Sequence, residues 1–156
     1  MFRTGNSMSK SSTKIQRRQR ARVVAMQALF QWLHNPGGVS DLLEQCLVER
    51  GMLDIEDFDT EFCECLITGC IEQTATLDSL LQQFLDRPLQ QLTSIELVVL
   101  RLATFELAQL PATPYKVVIN EAVNLTKEYG AEGGHAYINA VLDKLARKLR
   151  KEEFKD

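Results

Sequence analysis

The sequence predicts an all-α domain. Apolar residues recur at i, i+3, i+4 and i+7 along almost the whole chain after residue 14. Stop signals fall between those runs: Asn35-Pro36-Gly37-Gly38, Pro88, the Pro111 and Pro114 pair, and Gly130. No segment shows the two-residue alternation of a half-buried strand, and no internal repeat is evident.

Taken in order, residues 1–14 are rich in Ser, Thr, Gly and Lys with little to bury, and read as a disordered basic tail. The folded region then spans residues 15–150, with 151–156 as a C-terminal tail. The first helix is expected from about Ile15 to His34. Ala21, Ala25, Ala28, Leu29 and Trp32 form one apolar stripe, and Val23, Met26, Phe30 and Leu33 a second. Two stripes imply packing on two sides, with Arg20, Gln27 and Gln31 on the remaining polar strip. Ser40 can cap a second helix ending near Gly51. A third begins near Asp57, carries Phe58, Phe62, Cys65, Leu66 and Gly69 at helical spacing, and continues through Leu77–Phe84 with a bend near Thr74–Thr76. Leu89–Leu92 suits one short turn. Thr93-Ser94-Ile95-Glu96 has the spacing of a capping box and opens the helix carrying Leu97, Leu100, Arg101, Phe105 and Leu107. Thr113 as N-cap and Pro114 as first residue start the next helix, with Val118, Ala122, Leu125 and Tyr129 inward and Gly130 as its stop. Ile138, Val141, Leu142, Leu145 and Leu149 line one face of the last, after a Gly133-Gly134 turn.

A chain of 156 residues fits one domain and buries a sizeable core without staples. It has no apolar run of membrane-spanning length and no apolar stretch behind its basic N-terminus, so a cytoplasmic location is expected. Cys46, Cys63, Cys65 and Cys70 lack the paired Cys-x-x-Cys spacing of structural zinc sites and read as free thiols. The net charge of −3 conceals an asymmetry: residues 1–40 carry Arg3, Lys10, Lys14, Arg17, Arg18, Arg20 and Arg22 with no acid, for +7, leaving −10 on the rest. Such opposed blocks suit a basic arm for a polyanion on an acidic body.

Enzyme chemistry finds no support. His34 and His135 lie far apart in sequence, and no nucleophile elbow, phosphate-binding Gly-rich loop or His-Glu-x-x-His occurs. No cofactor or metal is expected. Arg17-Arg18-Gln19-Arg20-Ala21-Arg22 is the stronger signal, because guanidinium forks match phosphate and stack on bases, and single-stranded RNA exposes both. A membrane-surface helix would need a free apolar face, which the core appears here to claim by its two stripes.

Three blocks of the chain then resemble the NusB family of bacterial antitermination factors. They are Arg17 to Trp32 (RRQRARVVAMQALFQW), Ile95 to Leu107 (IELVVLRLATFEL), and Pro114 to Val123 (PYKVVINEAV) followed by Ala131-Glu132 and Tyr137 to Lys144 (YINAVLDK). They stand in the family's order and cover roughly residues 15–150. The resemblance implies a seven-helix NusB fold, two three-helix bundles packed around a shared core. It also implies binding to boxA RNA of ribosomal operon transcripts, a heterodimer with the ribosomal protein NusE, entry into an RNA polymerase antitermination complex, and a homodimer as one free state. By position it offers Arg17, Arg18, Arg20 and Arg22 first as RNA contacts, then Gln27 and Tyr137. Glu96, Arg101, Phe84 and Phe105 are offered for the NusE face, although Phe84 and Phe105 also suit the core and Glu96 also closes its capping box. Asn120, Glu121, Asn139 and Asp143 match signature positions and read as structural. The chain departs from the family's pattern at Gly134 and Ala136, beside His135, and at Ala140. Two other readings stay open: the NusB-like domain of an rRNA cytosine methyltransferase, which needs a following catalytic domain, and a protein-only scaffold.

Overall fold

The computed structural model describes residues 13–48 and 57–155, and among them it holds seven α-helices and no strand. Helix α1 (Lys14–His34) starts where the sequence supplies a reciprocal cap. Thr13 Oγ1 accepts from the Gln16 N–H at 3.0 Å, and Gln16 Oε1 accepts from the Thr13 N–H at 3.0 Å. The disorder expected of residues 1–12 lies outside the described residues; Thr13 and Lys14 belong to the helix start. Ala21, Val24, Ala25, Met26, Ala28 and Leu29 of α1 are buried.

Helix α2 (Val39–Leu43) begins one residue before Ser40, with Gly38 at the cap, and widens into a π-helical turn over Glu44–Val48. Its expected end near Gly51 lies outside the described residues. Helix α3 (Thr60–Glu72) starts later than the expected Asp57. Asp57 holds φ of +57°, incompatible with a right-handed helix, and the cap is Asp59, whose carboxylate accepts from the Phe62 N–H at 3.0 Å. The bend expected near Thr74 is a full break. Thr74 Oγ1 donates to the carbonyls of Cys70 at 2.7 Å and Ile71 at 2.9 Å, and α4 (Thr74–Gln82) sets off afresh. A 3-10 turn, Leu89–Gln91, leads to α5 (Ser94–Gln109), opened by the Thr93–Glu96 capping box with bonds of 3.0 and 3.1 Å.

Helix α6 (Tyr115–Tyr129) is preceded by Pro114 at the cap, not Thr113. Thr113 is buried and accepts from Arg18 instead, while the Tyr115 N–H donates to Glu153 Oε1 at 3.0 Å. Tyr129, expected inside, is 37% exposed, because it closes the last turn of α6. Gly133 at φ of +83° makes the turn into α7 (Gly134–Leu149), a conformation glycine adopts without cost. Residues 151–154, expected as a tail, form a 3-10 turn that returns Phe154 onto Tyr115 at 4.3 Å between ring centroids.

Helix α5 is the shared core. Val98, Val99, Leu100 and every residue from Leu102 to Leu107 are buried, so this helix is enclosed all round. On one side α1 and α3 pack on each other and on α5; on the other α6 and α7 do the same, with α4 leaning on α5 between them. Gly69 of α3 lets α5 come close: a Cβ there would sit 2.2 Å from the Phe105 ring. Phe105, 4% exposed, is therefore a core residue, a correction to its expected place on a partner face.

Candidate nucleic-acid interface

The cap at Thr13 fixes the phase of the arginines that follow. Arg17 and Arg20 turn toward the loop before α3. Arg17 Nε donates to Asp57 Oδ1 at 3.1 Å and Arg17 Nη2 to the Phe58 carbonyl at 3.1 Å. Arg20 Nη1 donates to the Asp57 carbonyl at 3.0 Å and lies 3.5 Å from Asp57 Oδ2. The backbone adds a tie, Asp59 N–H to the Arg17 carbonyl at 3.1 Å. Arg18 lies flat over the Phe62 ring, 4.2 Å from its centroid, with Nη1 3.4 Å from Thr113 Oγ1 and Nε 3.7 Å from Asp59. The side chains of Arg17, Arg18 and Arg20 stay 42%, 31% and 38% exposed, so each still presents charge to solvent.

Arg22 differs. Its Nε and Nη2 reach both oxygens of Glu106 at 2.8 and 2.9 Å, and the two side chains are 5% and 3% exposed. Its fork is wholly engaged inside the protein, which corrects the expectation that it meets RNA. Glu106 is the feature that could have foretold this: one acid within the apolar run of α5, a position that requires a buried partner. Arg150 is a second buried arginine that sequence reading missed. It donates to the carbonyls of Leu107, Glu106, Leu110 and Thr113 at 2.7, 3.1, 3.1 and 3.0 Å. It thereby satisfies the orphan carbonyls at the end of α5 and fixes the loop that holds Thr113.

Two clefts flank Arg18. One, of about 380 Å³, is walled by Phe62, Asp59, Gln109, Leu110 and Thr113; the other, of about 270 Å³, by Lys14, Ile15, Pro114, Val117 and Glu121. Ile15, 69% exposed, and Val117, 40% exposed, give the second an apolar rim. Gln27 is half-buried, further along α1.

The remaining candidates gather at the other end of α5. Tyr137 Oη donates to Asp86 Oδ1 at 3.2 Å, and Arg87 lies 4.5 Å above the Tyr137 ring. Arg87 Nε donates to Asp86 at 2.7 Å, and this bond is the main cause holding the Asp86 carboxyl below its usual range and the Arg87 guanidinium above its own. Glu96 adds a smaller pull on Arg87, so Tyr137, expected with the arm, sits in Glu96's neighbourhood instead. Arg101 pairs with Asp78 through two bonds of 2.8 Å, and Phe84 is half-buried beneath Lys148. Arg22 meets α5 at Glu106 and Arg87 near Glu96. Those ten residues correspond to about 15 Å of helix. The structure thus brings Arg17, Arg18 and Arg20 together and sets Tyr137 apart from them.

The profile of the NusB family matches residues 19–147. The chain belongs to the NusB family. It is 39% identical over 144 residues to the transcription antitermination protein NusB of Marinomonas sp. (92% of this chain, 82% of the relative). It is 44% identical over 136 residues to that of Burkholderia vietnamiensis (87% and 92%). Among solved structures, T. maritima NusB superposes with a TM-score of 0.77 at 29% identity, covering 93% of this chain and 99% of that one. A crystal structure of NusB and NusE in complex with double-stranded RNA matches at 0.71 and 22% identity, covering 83% and 96%, a likeness of fold. The NusB profile begins at Gln19, so Arg17 and Arg18 precede the matched span while Arg20 and Arg22 fall inside it. No helix among the described residues of this NusB-family chain is long and apolar enough to cross a membrane, and no group of three His, Cys, Asp or Glu side chains is placed to hold a metal ion.

Proposed function

We propose that this protein is a transcription antitermination factor that binds boxA RNA of ribosomal RNA operon transcripts together with NusE and so joins the RNA polymerase antitermination complex. The observation that carries the reading is the cluster of Arg17, Arg18 and Arg20 at the capped start of α1, in a chain matched to NusB relatives over most of its length. Guanidinium groups held at one helix end suit phosphate, and the Arg18–Phe62 stack offers a flat cationic face of the kind on which an unpaired base can lie. Arg22 enters the proposal as the strut that fastens this end of α1 to α5. Gln27 is a secondary contact further along the same helix.

The opposite end of α5 is proposed as the NusE side, with Glu96, Arg101 and Phe84 there and Tyr137 at its border. A protein partner at that end and RNA at the arm would share one rigid helix, which suits cooperative assembly. A free homodimer covering the arm would oppose RNA binding. Fluorescence anisotropy with single-stranded boxA RNA, a scrambled RNA and a duplex, each with and without NusE, tests the reading. The expected result is preference for boxA that sharpens when NusE is present; equal binding of all three RNAs, unchanged by NusE, would contradict it.

A further inference from the structure

We propose that Asp57 is a built-in competitor for RNA phosphate, its carboxylate occupying the Arg17 and Arg20 side chains that RNA must claim. The inference rests on the RNA-binding reading above and concerns how that interface is regulated. One carboxylate serves two arginines, Oδ1 at 3.1 Å from Arg17 Nε and Oδ2 at 3.5 Å from Arg20 Nη1. The carbonyls of Phe58 and Asp57 accept from Arg17 Nη2 and Arg20 Nη1 at 3.1 and 3.0 Å. Together they set clustered anionic and polar oxygens against neighbouring guanidinium forks, the arrangement a phosphodiester would offer.

Two further observations make the contact exchangeable. All three side chains are at the surface, with Asp57 54% exposed, so the pairs are weak and screened by salt, and a polyanion can outcompete them. Asp57 also holds φ of +57°, where a side chain costs energy, so the local backbone gains nothing from keeping the contact. Its neighbours hold firm: Asp59 caps α3 and donates to the Arg17 carbonyl, which leaves the Asp57 side chain free to swing without moving a helix. The Arg22–Glu106 pair one turn on is the opposite case, buried and permanent. The arm therefore carries both an exchangeable and a fixed arginine–carboxylate contact.

Asp57→Asn removes the charge and keeps the size, and Asp57→Gly in addition suits the positive φ. Both should bind single-stranded boxA RNA about 3- to 10-fold tighter than wild type at low salt. The log–log salt slope should steepen by about 1.4 if both cations are freed. The gain should vanish in an Arg17→Ala/Arg20→Ala background, and the circular dichroism melts of both Asp57 variants should stay close to wild type. If the wild type binds RNA and loses affinity on Arg17→Ala/Arg20→Ala, yet neither Asp57 variant binds tighter, Asp57 orients the arginines and this inference falls alone. If wild type and all variants leave the RNA unbound, the reading under Proposed function fails and takes the inference with it.

Discussion

The two ends of α5 use the same residue types for opposite purposes. At its C-terminal end, Arg22 and Arg150 are 5% and 7% exposed, and their donors are consumed by Glu106 and by four backbone carbonyls. At its N-terminal end, Arg87 and Arg101 pair with Asp86 and Asp78 closer to solvent, and Arg87 keeps 39% of its side chain exposed. Buried charge fixes geometry because losing one partner strands the other, whereas surface charge can be exchanged cheaply. The arm start is where both regimes meet, with Arg22 fixed and Arg17, Arg18 and Arg20 at the boundary.

Breaking the fixed pair should have the largest effect. Glu106→Ala, leaving Arg22 buried and unpaired, should cost about 3–5 kcal/mol in urea unfolding. The double variant Arg22→Met/Glu106→Leu should recover most of that loss, and a double variant as unstable as the single would show that the pair does more than satisfy itself. Gly69→Ala comes next, at about 1–3 kcal/mol, because its Cβ would overlap Phe105; Phe105→Leu in the same chain should restore part of it. At the other end, Asp78→Asn should cost about 1 kcal/mol or less, and a loss as large as that of Glu106→Ala would erase the contrast between the ends.

The smallest effect is chemical. Burial pushes the Cys46 thiol up to about 11 and Cys63 to about 12, and raises Cys70 further, so these three stay protonated at pH 8. Cys65, only partly buried and raised less, should be alkylated first by iodoacetamide under native conditions, as read by mass spectrometry. Prior labelling of Cys63 or Cys70 would show that the α3–α5 contact opens more readily than its packing implies.

Much of the fold was legible because helix information is local. The Thr93–Glu96 box, the stop at Gly130, the double stripe of α1 and the Thr74 interruption all depend on residues within a turn of one another. Cap positions shifted where a neighbour intervened: Gly38 displaced Ser40, and Thr113 was drawn to Arg18. The candidate site was legible in composition but not in pairing. A count of basic residues cannot say that Asp57 meets Arg17 and Arg20, or that Glu106 meets Arg22, since those partners lie 37 to 84 residues away. Phe105 went to the core for a similar reason, because the glycine that admits it belongs to another helix.

The account turns on surface arginines at the start of α1 binding RNA while the buried one holds the helix in place. Anisotropy titration of single-stranded boxA RNA against wild type and Arg17→Ala/Arg18→Ala/Arg20→Ala, across a salt series, tests this most directly. The triple variant should keep its helical content, lose most of its affinity and flatten the log–log salt slope by about 2. An unchanged affinity and slope in a folded triple variant would contradict the assignment and move the RNA to another face.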